Sequence, residues 1–363
     1  MNRRYYVQAI AENYLKNVIA DPVSINVHNK FLHGLSTDEF LEGFKSLLSL
    51  MRQLYGDIAE NPADFGMILK DVVDIDAKNA DYTNSNASLI RVPNLLLLLG
   101  ARANLGSDMT LTIDGGVLIQ EAKKLKITGL PLLLAKLMEY GFEINDFDKS
   151  PVAGEMLSVS YIDNRNLTAT LKSMAVALSE MNKGDLKSPK KDYFYMMHNG
   201  LLENEAVKEP KPTFDVIYNV LDPVQRGYAD DLHEIVADYS KQNIRMGGLM
   251  RNDWSCAYTG KKNKKVLMSF QVHQDNFSVK LNLNNINQYI YLVAEMSDKI
   301  KNVVRNGGYE CGSCNPRCSG GFKFEMDGEA YNKCHCGSFV FSGLTEEDIA
   351  YCKNLLKEEI SFL

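Results

Sequence analysis

The stretch "CGSCNPRCSGGFKFEMDGEAYNKCHC", residues 311 to 336, decides how the end of this chain folds. Its middle part alternates apolar and polar residues on both sides of Asp327-Gly328, a pair typical of tight hairpin turns. The sequence therefore predicts two antiparallel strands, one leaving near Gly321 and one returning near Lys333. Such a hairpin brings the cysteines that follow it back beside those that precede it.

Five cysteines at the open end of this hairpin predict a zinc site. Zinc takes four nitrogen or sulfur ligands in a tetrahedral arrangement, and a Cys-x-x-Cys turn directs two thiolates to one side. The spacings depart from a strict double Cys-x-x-Cys pattern, and five sulfurs compete for four positions. We expect a structural zinc ion as the cofactor. The candidate ligands are Cys311, Cys314, Cys318, Cys334 and Cys336.

Other interpretations of the cysteines stay open. They include reduced thiols without metal, a redox pair and an iron-sulfur centre. A catalytic zinc ion would need an open water position and a carboxylate base, for which Glu310, Glu325 and Glu329 are near in sequence. Nothing in their spacing places one on a metal-bound water, so a closed structural site is favoured. Cys256 and Cys352 fall in a predicted strand and a predicted helix, and we expect both in the core.

Composition excludes several classes of protein. The chain has 363 residues, 45% of them hydrophobic and 24% charged, as in ordinary globular proteins of two or three domains. The net charge of -6 disfavours a dominant role in binding phosphate or nucleic acid. The N-terminus does not resemble a secretory signal, and the longest apolar runs are too short to span a bilayer. We therefore expect a cytoplasmic protein with reduced cysteines and no membrane partner.

The first half of the chain predicts a helical region, residues 1–85, followed by a module at 86–182. In the helical region, Ser36 and Glu39 form a capping box ahead of an apolar stripe. The module has the order helix, strand, helix, helix, strand, strand, helix, which is the order of a winged helix. The third helix of this module is "LPLLLAKLMEYG", whose charged groups are Lys136 and Glu139. This helix is poorly equipped to contact base edges, so protein contact is favoured over DNA binding.

Residues 183–213 predict a linker, because lysine- and proline-rich stretches flank "DYFYMMHNGLL", a segment apolar enough to dock as a short helix. Residues 214–363 predict a C-terminal α+β domain. Asp222 caps its first helix with Pro223 in the first turn, and Thr345 with Asp348 caps its last. Between them we expect three strands, one helix from about 286 to 304, and the cysteine-rich hairpin. The fold class predicted for the whole chain is α+β.

Three further features favour ordinary structural roles. The lysines of "GKKNKK", residues 260–265, suit a solvated hairpin tip, with a weak anion or nucleic-acid contact as the alternative. Trp254, near Tyr258, Phe270 and Phe277, suits a sheet core, with the wall of a small-molecule pocket as the alternative. The isolated histidines, which we expect not to bind metal, are His28, His33, His198, His233 and His273.

Three segments carry a resemblance to known proteins: "YGFEINDFD", "LSVSYIDNRN" and "CGSCNPRCSGGFKFEMDGEAYNKCHCGSFVF". Through them the chain resembles a group of uncharacterised proteins from anaerobic bacteria. From about Asp222 to the end, its layout is also similar to small MmcQ/YjbR-like sheet domains of unknown function. The resemblance implies a sheet domain with an added cysteine cluster. It implies no reaction and no catalytic residues.

The sequence thus predicts a binding or regulatory protein with a zinc-stabilised C-terminal domain, whose partner is a small molecule or another protein. One alternative is a metal- or thiol-dependent enzyme that uses the cysteine cluster. Another is a transcriptional regulator that binds DNA through the winged-helix-like module.

Overall fold

A computed structural model of the protein describes residues 5–71, 80–145, 150–208, 221–246, 254–273, 276–308, 310–311, 321–334 and 338–363. The chain divides into two compact units, Met1–Pro210 and Lys211–Leu363. Twelve α-helices and three antiparallel sheets lie within the described ranges, so the predicted α+β class is confirmed. In the same ranges, no helix combines the length and the apolar character needed to cross a membrane.

Five apolar helices build the core of the N-terminal unit. They are α1 (Tyr6–Asn17), α2 (Thr37–Glu60), α3 (Ala80–Leu89), α4 (Arg91–Arg102) and α7 (Asn166–Met181). Helix α2 packs against α1 and α7, and α4 packs against α7. At Gly100 the helices α4 and α7 approach so closely that an added Cβ would lie 2.6 Å from the carbonyl oxygen of Leu171. The predicted capping box of α2 is confirmed, since the Glu39 carboxylate accepts from the Ser36 N–H at 2.8 Å.

A small sheet lies between α4 and α7 in the sequence. Its elements are β1 (Asn104–Leu105), β2 (Leu111–Asp114), α5 (Gly115–Lys124), α6 (Leu130–Glu139), β3 (Phe142–Asn145) and β4 (Met156–Tyr161). The antiparallel strand order is β1-β2-β4-β3. Helix α5 begins where the Asp114 carboxylate accepts from the Val117 N–H at 3.0 Å. The elements follow the order that the sequence predicts, except that the structure adds the short strand β1 between α4 and β2.

Residues 189–202 pack within the N-terminal unit. They form short helical turns at Pro189–Lys191 and Asn199–Leu202 and the helix α8 (Asp192–Tyr195). Phe194, Tyr195 and Met196 are fully buried, as the apolar character of this segment predicts. Main-chain hydrogen bonds from Ile19 to Met196 (3.3 Å) and from His28 to Leu202 (2.8 Å) fix the segment against the start of the chain.

A five-stranded antiparallel sheet forms the centre of the C-terminal unit, in the order β11-β8-β7-β6-β5. Its strands are β5 (Ser240–Met246), β6 (Trp254–Gly260), β7 (Val266–His273), β8 (Asn276–Leu281) and β11 (Phe339–Ser342). A separate hairpin contains β9 (Phe322–Met326) and β10 (Glu329–Lys333). The helices are α9 (Pro223–Val236), α10 (Ile286–Ala294), α11 (Asp298–Asn306) and α12 (Glu346–Ser361).

Three helices of the C-terminal unit begin at a residue whose side chain caps the first turn. Asp222 caps α9 and Thr345 caps α12, as predicted. The prediction of one helix from 286 to 304 is wrong, because the Ser297 hydroxyl accepts from the Ile300 N–H at 3.4 Å and starts a new helix, α11. Strand β9 lies against α10, and α12 contacts both α9 and α10. The hairpin therefore belongs to the packed C-terminal unit.

Candidate metal centre at the hairpin mouth

The predicted hairpin is present, and its turn is the predicted Asp-Gly pair. Five residue pairs join β9 to β10, from Phe322 with Lys333 to Met326 with Glu329. Asp327 and Gly328 have φ values of 53° and 80°, the left-handed conformations that a two-residue turn of this kind requires. The turn fixes the register, so the strand ends at Phe322 and Lys333 lie opposite each other.

The residues that lead into the cysteine-rich segment pair with the end of β10, alongside the pairing of β10 with β9. Glu310 pairs with Lys333 in an antiparallel bridge, and the N–H of Cys311 donates to the carbonyl oxygen of Asn332 at 2.9 Å. Cys311 thus lies beside the end of β10, and Cys334 follows that end directly. We call the set of Cys311, Gly321, Asn332 and Cys334 the hairpin mouth.

Strand alternation places the members of the hairpin mouth on one face. Residues directly opposite each other in antiparallel strands share a face, and residues two apart along a strand share a face. Cys311 is opposite Asn332, and Cys334 lies two residues beyond Asn332. The other face carries aromatic side chains, with Phe324 and Tyr331 stacked at 5.2 Å between ring centroids. The hairpin therefore has a thiol face and an aromatic face.

Glycine at position 321 permits a close approach of the main chain at the hairpin mouth. A Cβ there would lie 2.3 Å from the carbonyl oxygen of Lys333, 2.7 Å from the Cβ of Cys311 and 2.9 Å from the Oδ1 of Asn332. No side chain fits at these distances, so the main chain of β9 approaches the cysteine more closely than any other residue would permit.

Two of the five predicted zinc ligands are described, and the mouth brings both to the same end of the hairpin. Cys311 is half-buried and Cys334 is buried. The other predicted ligands, Cys314, Cys318 and Cys336, lie outside the described residues. Within the described ranges, no three His, Cys, Asp or Glu side chains form a group that could hold a metal ion. The zinc site therefore stays a prediction.

A buried lysine borders the mouth on its aromatic face. The Lys333 side chain is 4% exposed, forms an ion pair with Glu310 and lies with its Nζ 5.6 Å from the centre of the Tyr331 ring. The positive charge of this buried side chain is balanced by the Glu310 carboxylate. The sequence analysis did not predict this buried ion pair.

Two of the three carboxylates predicted as possible bases have other partners. Glu310 pairs with Lys333, and Glu329 accepts from the Tyr331 hydroxyl at 2.7 Å. Glu325 is exposed on β9. This arrangement resembles a surface hairpin with local charge pairs more than a catalytic acid-base site.

The two cysteines outside the cluster are core residues, as predicted. Cys256 on β6 and Cys352 on α12 are fully buried. Burial raises the pKa of both thiols to about 12. Since the thiolate is the reactive form, neither side chain is suited to act as a nucleophile near neutral pH.

The remaining candidates have structural contacts. Lys261 at the tip of the β6–β7 turn donates to the carbonyl oxygen of Asp238 at 2.7 Å, just after α9, so one of the tip lysines binds the end of a helix. Tyr258, Phe270 and Phe277 form a buried row with neighbouring ring centroids 5.7 Å and 5.4 Å apart. The side chain of Trp254 lies outside the described residues. The aromatic row is the sheet core.

Two of the isolated histidines are fixed by protein groups. The Nδ1 of His233 lies 2.9 Å from the Tyr258 hydroxyl, and the Nδ1 of His198 accepts from the Gly200 N–H at 3.2 Å. The side chain of His273 lies outside the described residues.

Comparison of the chain with models of protein families, with curated proteins and with solved structures gave no match. The resemblance to MmcQ/YjbR-like domains therefore stays a prediction, and function must be argued from the site itself.

Proposed function

We propose that this chain is a binding or regulatory protein whose C-terminal unit is stabilised by a structural zinc ion at the hairpin mouth. One observation carries the proposal: Cys311 and Cys334 lie at the same end of the hairpin, where only glycine at position 321 permits the close approach of the main chain to Cys311. Two thiolates converging from separate segments are the basis of a structural zinc site.

Cys311 and Cys334 supply one ligand each from the two sides of the mouth. The sequence supplies the remaining thiolates from Cys314, Cys318 and Cys336. Bound zinc would tie the segment before the hairpin to the segment after it, and binding energies of about 10–16 kcal/mol are typical of such sites in small domains. A closed site of this kind holds a fold together and leaves no position for substrate.

The enzyme alternative has weaker support. Catalytic zinc needs a free carboxylate or a similar base beside its water, whereas Glu310 and Glu329 are engaged by Lys333 and Tyr331. Outside the cluster, burial raises the pKa of the Cys256 and Cys352 thiols, so these two core cysteines are not suited to act as nucleophiles. We therefore infer a stabilising role for the cysteine cluster. The reducing cytoplasm, where thiols stay available for metal, is the compartment that suits it.

A metal assay tests the proposal. Purified protein is dialysed against metal-free buffer, and its zinc content is measured for wild type, Cys311→Ser, Cys334→Ser and the buried off-site control Cys352→Ala. We expect about one zinc ion per chain in the wild type and the control, and a large loss in both serine variants. Metal-free wild-type protein, or full zinc content in both serine variants, would contradict the proposal.

For the N-terminal unit we propose that the winged-helix-like module contacts protein. Its helix α6 exposes Leu132 (42%) and Met138 (43%), while the ammonium group of Lys136 is held by Glu139 at 2.7 Å. An apolar surface with a neutralised lysine suits a protein partner better than a phosphate backbone. Retention on non-specific duplex DNA, measured over a range of salt concentrations, tests this. Retention at low salt that falls steeply as salt rises would favour DNA binding instead.

A further inference from the structure

A cavity of about 710 Å³ lies beside the last turn of α12 in the C-terminal unit. Its walls come from three parts of the fold, which are the end of α9, the tip of the β6–β7 turn and the end of α12. Ile235, Tyr239 and Ile360 supply apolar surface, and Tyr239 is 51% exposed. Cavities of about 300–1,000 Å³ with largely apolar walls are typical of sites for small molecules.

Hydrogen bonds hold two of these walls together. The main-chain N–H of Lys261, at the tip of the turn, donates to the carbonyl oxygen of Tyr239 at 2.9 Å. The Nζ of the same lysine donates to the carbonyl oxygen of Asp238 at 2.7 Å. The third wall is fixed because α12 packs against α9. The fold itself therefore holds the walls in place, which lowers the entropy cost of binding a ligand between them.

Two ammonium groups at the cavity lack an acidic partner. Lys262 and Lys357 line the cavity, and neither forms an ion pair with a residue of the described ranges. The Lys261 ammonium group, by contrast, is held by main-chain carbonyls at the end of α9. The Asp238 carboxylate also lines the cavity, so the lining side chains carry three positive charges and one negative charge. This surplus of positive charge favours an anionic ligand.

We propose that the cavity binds a small organic carboxylate with an apolar body. Its carboxylate pairs with Lys262 and Lys357, and its body packs on Tyr239 and Ile360. A lysine ammonium group attracts a carboxylate as a compact point charge, and this attraction strengthens where apolar walls exclude water. An inorganic anion such as phosphate would meet the same charges but leave the apolar walls in water. None of these residues belongs to the hairpin mouth, so the inference goes beyond the proposed zinc site and does not depend on it.

Isothermal titration calorimetry of the full chain tests the inference. The ligands are octanoate, 2-naphthoate, the two corresponding uncharged amides and inorganic phosphate. We expect at least one carboxylate to bind, about 10-fold more tightly than its own amide, because the amide cannot form the ion pairs. The tighter of the two carboxylates shows whether the site suits an aliphatic or an aromatic body. Binding of neither carboxylate, or equal affinity for a carboxylate and its amide, overturns the inference.

Substitutions test the charged and apolar parts of the site separately. Lys262→Gln and Lys357→Gln should each weaken carboxylate binding about 5-fold and leave binding of the amide unchanged. Tyr239→Ser should weaken the binding of both, because it removes apolar wall. Lys265→Gln, in the same turn but outside the cavity, is the control and should match wild type. All four side chains are exposed, so circular dichroism should show folded variants. Unchanged carboxylate affinity when both cavity lysines are replaced together overturns the inference.

Discussion

Arg91, at the start of α4, is a buried cation held by main-chain oxygens. Its guanidinium donates to the carbonyl oxygens of Ser88 (2.7 Å), Thr128 (2.8 Å) and Gly66 (2.8 Å), and burial lowers its pKa. Only the planar fork of arginine reaches several acceptors in different directions at once. The residue therefore joins the end of α3 to two loops of the N-terminal unit.

Replacing Arg91 by lysine should destabilise the N-terminal unit by about 2–4 kcal/mol, because a single ammonium group leaves buried carbonyls unsatisfied. Arg102→Lys is the matched control, since Arg102 is partly exposed and pairs with Glu121 at 2.9 Å. That control should change stability by less than about 1 kcal/mol. Urea denaturation monitored by circular dichroism measures both, and equal midpoints for the two variants would disprove the joining role.

The burial of His198 makes the stability of the N-terminal unit sensitive to acid. Its Nδ1 accepts from Gly200, so the ring proton is on Nε2, which is buried and without an acceptor. Burial lowers the pKa of His198 from 6.5 to about 4. The unfolded chain therefore binds the proton more readily than the folded protein between these two values. The stability contributed by the neutral ring is complete above pH 6.5 and is lost as pH falls toward 4.

His198→Asn should remove this acid sensitivity, which amounts to about 3 kcal/mol between pH 6.5 and 4. His28→Asn is the matched control, because His28 also accepts a main-chain N–H through Nδ1, from Lys30 at 3.4 Å, but is only half-buried. The measurement is the urea midpoint as a function of pH. A pH profile unchanged by His198→Asn would show that other groups govern the acid response.

At the scale of helices and strands, local signals predicted most boundaries. The caps at Ser36, Asp222 and Thr345 and the Asp327-Gly328 turn were readable because each depends on residues three or fewer positions apart. Strand β5, "SKQNIRM", was missed because its polar residues lack an apolar run and its place is set by pairing with β6. The break before Ser297 was missed because the apolar pattern continues across it.

The candidate site was predictable in part. The turn and the alternation of the hairpin predicted that Cys311 and Cys334 lie at the same end, and the described residues have that arrangement. The buried Lys333, the unpaired oxygen of Asn332 and the need for glycine at 321 were not predictable. They depend on how the segment at Glu310 pairs with β10, which is a contact between residues far apart in the sequence.

Gly321 gives a prediction at the level of the hairpin. Gly321→Ala would force a Cβ to within 2.3 Å of the Lys333 carbonyl oxygen, so it should separate the strands at the mouth and weaken zinc binding. Gly227→Ala, in the exposed interior of α9, meets no atom within 4 Å and should stabilise the C-terminal unit by about 0.5–1 kcal/mol. Thermal unfolding and zinc content of the two variants are compared. Normal zinc content in Gly321→Ala would contradict the need for this close approach.

At the scale of the whole molecule, the two compact units should respond differently to loss of metal. All seven cysteines lie in Lys211–Leu363, as does the single tryptophan, Trp254. Tryptophan fluorescence therefore reports on the C-terminal unit alone. Removing zinc with a chelator should lower the urea midpoint seen by fluorescence, because metal binding contributes to the free energy of folding.

The signal from the N-terminal unit serves as the internal control. Its helices dominate the far-ultraviolet circular dichroism, and the part of that transition that belongs to Met1–Pro210 should keep its midpoint when the chelator is added. Adding zinc back should restore the fluorescence midpoint. Identical fluorescence transitions with and without the chelator would contradict a stabilising role for the metal.

X-ray absorption spectroscopy of the zinc-loaded protein tests the central claim most directly, because it reports the atoms bound to the metal. A structural site built by Cys311, Cys334 and the neighbouring cysteines predicts a shell of sulfur atoms at about 2.3 Å. It also predicts that Cys311→Ser and Cys334→Ser reduce the number of sulfur ligands. A shell of oxygen or nitrogen at about 2.0–2.1 Å without sulfur would contradict the account.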